Sequence, residues 1–168
     1  HPRFQKKTMQ IETATESHID EILHLCLQVQ NIHVALFPHI FKPAVEEELR
    51  DFFRDRLRDE DARIFLARDA DRCLGYCLLG IHERSENPFC HAYRLLYIDH
   101  ICVDESCRHR GVGKQLLTEA RNLARQLRID RIELDFWTAN QNAGRTFRAL
   151  GFQTFNEHMC MDLSEDAT

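Results

Sequence analysis

Apolar and polar positions along the chain repeat with two periods, and each change of period marks an element. Residues 9–14 alternate weakly and predict a first strand. Ile19, Ile22, Leu23, Cys26 and Leu27 follow at helical spacing, with Ser17 and Asp20 reading as a capping pair. After a break at Phe37-Pro38, the stripe Val45, Leu49, Phe52, Phe53 and Leu57 predicts a second helix with Pro43 in its first turn. Residues 63–68 and 73–82 read as strands joined by the polar turn 69–72.

The strand predicted near residues 93–103 changes phase within itself. Leu96 and Ile98 occupy even positions, whereas Ile101 and Val103 occupy odd ones. A one-residue slip flips every side chain to the other face, so a β-bulge near Asp99-His100 is expected. The pattern is plainest from Val112 to Leu127, where Leu116, Leu117, Ala120, Leu123, Ala124 and Leu127 form one helical face. Ile132, Leu134 and Phe136 alternate as a strand. A short helix then carries Ala143, Phe147 and Leu150, with Gly151 ending it. Residues 152–155 and 158–163 predict two closing strands. The order βααβββαβαββ describes a mixed α/β layer structure.

Composition narrows the function classes. The 168 residues, 43% hydrophobic and 29% charged, suit one folded domain, expected at 9–163. Residues 1–8 are a tail or cloning remnant without an apolar h-region, and 164–168 form a C-terminal tail. No apolar run approaches the roughly 20 residues that span a bilayer, so no membrane partner is expected. The net charge of −5 argues against nucleic acid as a partner. Seven scattered cysteines form no C-x-x-C pair, which favours a reducing, cytoplasmic setting. The ten histidines show no metal-site spacing, so no metal is expected.

The candidate chemistry lies between the bulged strand and the long helix. Arg108-His109-Arg110-Gly111-Val112-Gly113-Lys114 joins two glycines to three cations at a helix start. Such a loop lets successive N–H groups, the positive end of the helix dipole and basic side chains surround a pyrophosphate. It is neither a Walker loop nor a Rossmann fingerprint.

Arg108-x-x-Gly111-x-Gly113 resembles the first motif of the GNAT superfamily of N-acetyltransferases. Asn140-x-x-Ala143, Phe147 and Gly151-Phe152 are similar to its second motif, Asn-x-x-Ala-x-x-x-Tyr-x-x-x-Gly-Phe. The resemblance covers residues 93–163 in detail and residues 9–90 in element order. It implies a mixed central sheet with helices on both faces and a splay between two parallel strands. It also implies acetyl-CoA as co-substrate, its pantetheine arm on Ile101, Cys102 and Val103 and its pyrophosphate on Arg108–Lys114. Asn140 would reach the pantetheine, besides capping its helix, and Ala143 and Phe147 would line the other wall.

The implied reaction moves an acetyl group to a primary amine of a small molecule or peptide. A lysine-like amine is roughly 0.04% neutral at pH 7, so a base is needed. Asp99, at the bulge, is the first candidate base, and Asp135 the second. The family's usual acid is a tyrosine where this chain has Phe147, so either the thiolate leaves unprotonated or Tyr97, His100, Cys102 or a water takes that role. Asn31, His33, Phe37, Tyr97 and His100 are the candidate residues around the acceptor. A protein N-terminus as acceptor, a non-catalytic sensor of acyl-CoA and assembly as a homodimer stay open at this stage.

Overall fold

The computed structural model describes residues 9–164; the remainder of both expected tails lies outside the described residues. Two compact units result, one ending at Asp135 and the other beginning at Phe136.

The first unit is built on a five-stranded sheet of order β1-β2-β3-β4-β5. Its strands are β1 (Gln10–Thr13), β2 (Ala62–Asp69), β3 (Arg72–Arg84), β4 (Tyr93–Val103) and β5 (Ile132–Glu133). Pairing is antiparallel except between β4 and β5, which run parallel. Helices α1 (Ile19–Leu36) and α2 (Glu46–Arg58) precede β2, and α3 (Val112–Gln126) joins β4 to β5.

Alternation along β3 sends successive side chains to opposite helices. Tyr76 and Leu78 pack in one cluster with Ile22, Leu25 and Cys26 of α1 and Phe53 of α2. On the other face a Cβ at Gly75 would stand 3.0 Å from Val112 Cγ1 and 3.4 Å from Leu116 Cδ1, so α3 covers that side. Val112, Leu116, Leu117, Ala120, Leu123 and Ala124 are all buried, as the apolar stripe predicts. Each such Leu contributes about 1.5–3 kcal/mol by leaving water.

Local signals were misplaced at two helix starts. Thr15, not Ser17, begins the first one: its N–H donates to His18 Nδ1 at 2.9 Å ahead of a 3-10 turn, Glu16–His18. The second starts at Glu46 behind extended Val45, so Pro43 lies before it. Three glutamates in that first turn complement the helix dipole.

The second unit contains α4 (Gln141–Ala149). The closing strands expected at 152–155 and 158–163 do not form. An alternating pattern makes a strand only where a neighbour completes the hydrogen-bond ladder, and these residues are in no ladder of the sheet.

All seven cysteines are free; Cys26, Cys73, Cys77, Cys102 and Cys107 are buried, and Cys90 and Cys160 are exposed. Burial pushes the Cys73 thiol up to about 11 and that of Cys102 to about 12.

Candidate functional site

The expected phase change in β4 is a bulge at Asp99. Leu78 of β3 pairs with His100 and Leu79 with Ile98, leaving Asp99 without a partner. In an antiparallel ladder, alternate residues turn both N–H and C=O to the same neighbour. Leu96 N–H donates to the Arg131 carbonyl at 2.9 Å, so even positions before the bulge face β5. Asp104 N–H donates to the Leu74 carbonyl at 2.8 Å, so even positions after it face β3. Ile101 and Val103 therefore turn their backbone groups toward the β5 side. But β5 pairs with β4 only at Leu96–Ile132 and Tyr97–Glu133. Past Tyr97 the two strands are no longer laddered, and an edge with strand-like hydrogen-bonding groups results.

The loop beyond this edge is fixed at its base by Asp104, which is 7% exposed. Its carboxylate accepts from Ser106 N–H at 2.9 Å, Arg72 Nη2 at 3.0 Å and Gln28 Nε2 at 3.4 Å. These bonds, those from Ser106 foremost, hold its pKa down at about 2. After a 3-10 turn at Glu105–Cys107 the chain passes through His109 at φ 63° and Gly111 at φ 81° into α3. No side chain caps that helix, and its first N–H groups have no partner within it.

This loop fits a pyrophosphate. Arg108, His109, Arg110 and Lys114 are exposed around it, with Val112 buried beneath. A Cβ at Gly113 would meet only Val103 Cγ2, at 3.9 Å, so the chain's own packing does not demand glycine there. The space is free for a group that approaches the backbone closely.

A second group of side chains gathers at the bulge, on the α1/α2 face. Tyr97 donates its hydroxyl to the carboxylate of Asp135, so the two candidates from neighbouring strands meet directly. Burial, and then that hydrogen bond, raise the Tyr97 phenol above its ordinary pKa. Desolvation raises Asp99 as well, opposed by His82 and Arg56. His100 Nδ1 lies 3.1 Å from the Tyr76 hydroxyl, and its ring stacks on Phe52 at 5.9 Å. Burial, with repulsion from His33, pushes the His100 imidazole down to about 4, so it is neutral at pH 7. His33 stacks on Phe41 at 4.7 Å and Phe37 lies 6.4 Å from the same ring, while Asn31 is exposed on α1.

In the second unit, Asn140 caps α4 by accepting from Ala143 N–H at 3.2 Å. Phe147 packs between Phe136 and Phe152, at 6.0 and 6.1 Å.

His82, Arg56 and Tyr76 were not singled out from the sequence. Their place beside the bulge depends on cross-strand register and on the seating of α2, and neither is written in a local pattern. Among the described residues, no group of three or more His, Cys, Asp or Glu side chains is placed to hold a metal ion. Nor is any helix there long and apolar enough to cross a membrane.

Comparison with known proteins agrees with this fold. The BH1408 protein of Bacillus halodurans, in mutant form, superposes with a TM-score of 0.86 over 92% of this chain and 99% of that one, at 24% identity. The aminoglycoside N-acetyltransferase AAC(6')-Iy, solved in complex with CoA, superposes with a TM-score of 0.77 over 96% and 98%, at 18% identity. Both likenesses show the fold. An "Uncharacterized N-acetyltransferase in pepI 3'region" of Lactobacillus delbrueckii subsp. lactis is 34% identical over 64 residues. That match spans 38% of this chain and 37% of the relative, little more than a third of its length. The model of the Acetyltransferase (GNAT) family matches residues 26–152, so the chain belongs to the GNAT family of acetyltransferases.

Proposed function

We propose that residues 9–163 act as one N-acetyltransferase domain, moving an acetyl group from acetyl-CoA to a primary amine of a small molecule or peptide by direct attack. The observation that carries this reading is the bulge at Asp99. One inserted residue frees the backbone of Ile101 and Val103 on the β5 side and puts Asp99 at the bulge, its carboxylate over Gly80 of β3.

Bound acetyl-CoA supplies the activated acyl group and the leaving thiolate. The chain's residues do the rest. Ile101 and Val103 hold the pantetheine arm through the free strand edge, with Cys102 between them turned to Tyr76 of β3, and Arg108 to Lys114 hold the pyrophosphate. Asn140, Ala143 and Phe147 are assigned to the cofactor on the motif that they form. Asp99 accepts the proton of the incoming ammonium, and its raised pKa favours that role at neutral pH. Asp135 is the second choice, because its carboxylate already accepts from Tyr97. None of the three candidate acids is poised to donate: Tyr97 and Cys102 hold their protons too firmly, and His100 carries none to spare.

Around the acceptor stand Tyr97, His100 and the group His33, Phe37 and Phe41, with exposed Asn31 assigned there as well. AAC(6')-Iy has also been solved with a bisubstrate analogue, CoA-S-monomethyl-acetylneamine. That neighbour supports a small-molecule amine here. The test is a panel of primary amines assayed for CoA release from acetyl-CoA. Amine-dependent release supports the reading. Stabilisation by CoA without release across the panel overturns it in favour of a sensor.

A further inference from the structure

Over Gly80, on the α1/α2 face of the sheet, two proton-handling groups converge. Gly80 pairs with Tyr97 across the ladder, and His82 pairs with Leu95. A Cβ built on Gly80 would lie 2.8 Å from His82 Nε2 and 3.1 Å from Asp99 Oδ2. Both atoms therefore lean over the same glycine. They form no direct hydrogen bond, and the gap is of the length that one bridging water spans. His82 is exposed to solvent, and its ring lies 5.5 Å from that of Tyr97.

We propose that His82 is the relay that carries the acceptor's proton from Asp99 to solvent. The inference rests on the acetyltransferase reading above. In the first transfer an N–H bond of the ammonium breaks and an O–H bond forms on Asp99. In the second, that O–H breaks, the proton crosses through water, and an N–H bond forms on His82 Nε2. The imidazolium then releases the proton to bulk solvent, so no electron pair or heavy atom changes place. Asp99 is itself exposed at the bulge; an acceptor bound against its carboxylate would cover that face, and His82 then gives the proton its way out. A bare glycine at position 80 allows the approach, because any larger residue would part the two groups.

The charged and titratable groups facing this pair are few. Arg56 approaches Asp99 from α2. Tyr97 lies beside it on β4, tied to Asp135, and the charge of Glu133 reaches the same phenol. His100, the next residue after Asp99, turns to Tyr76 and is neutral near pH 7. None of these offers Asp99 a solvent-exposed base in the way that His82 does.

Two variants test the relay. His82→Gln keeps a polar side chain at an exposed position. It should lower kcat at pH 7 at least tenfold and displace the pH–rate profile to higher pH, with KM for acetyl-CoA within twofold. Gly80→Ala should have the same effect, because its methyl meets only the movable ends of two side chains. The relay is overturned if wild type turns over and either variant matches it in kcat and pH profile. Absence of transfer by wild type to every amine would instead sink the acetyltransferase reading, and the relay with it.

Discussion

Tyr76 and His100 face each other across β3 and β4, with the phenol oxygen 3.1 Å from the imidazole Nδ1. Burial within a group of rings that includes Phe52 and Phe53, with repulsion from His33, holds His100 neutral. Because its folded pKa, about 4, is below the ordinary 6.5, the folded state binds fewer protons there than the unfolded chain. Its stabilisation is complete above pH 6.5 and is lost as pH falls through 4. The loss should be about 3 kcal/mol. Urea unfolding at pH 7, 5.5 and 4 should show this decline in wild type and a shallower one in His100→Gln. Equal slopes would remove His100 from the account.

Asp104 acts in a lower window. Its folded pKa, about 2, lies below the usual 3.8, so its contribution is full above pH 3.8 and fades as pH falls through 2. Asp104→Asn should cost about 2 kcal/mol at pH 7 and almost nothing near pH 2. Since the carboxylate anchors the loop that leads to Arg108, KM for acetyl-CoA should also rise severalfold. Denaturant melts at both pH values, with steady-state kinetics, check the two effects separately.

Gly113→Val separates ligand approach from packing. The only near neighbour of a Cβ there is Val103 Cγ2 at 3.9 Å, so stability should change by less than about 1 kcal/mol. CoA affinity should fall tenfold or more, because a branched side chain would occupy the space beside the helix N-terminus. A folded variant that binds CoA as wild type does would show that this loop is a plain turn.

Asp99→Asn should lower turnover at pH 7 by roughly 10²–10⁴, the usual worth of a general base. Thermal stabilisation by CoA should persist, because the backbone of Ile101 and Val103 keeps its place. Retention of the wild-type pH–rate profile would transfer the role to Asp135 or to water.

Much of the fold was legible in the sequence because long periodic stretches decide their own burial. The stripe from Val112 to Leu127 became α3, and the phase change between Ile98 and Ile101 became the bulge. The loop proposed for the pyrophosphate could be read because Gly111, at φ 81°, is a local requirement and the basic residues lie beside it in the chain. What escaped was set by tertiary partners. Residues 152–163 alternate like strands yet form no ladder. His82 meets Asp99 only because the inserted residue shifts the register of β4 against β3. Thr15 was passed over as a start because its partner, His18, is not a usual capping-box residue.

The burial of five cysteines leaves the surface with two thiols, Cys90 in the first unit and Cys160 in the second. A maleimide dye would mark each unit once on the unaltered chain, and a serine at either position would make the label single. Paired fluorophores or spin labels at these two sites would report whether the units change their separation as CoA is added. For the same reason, a thiol reagent used to follow CoA release meets a background of two sulfurs per chain, while the buried thiols of Cys73 and Cys102 stay protonated and silent.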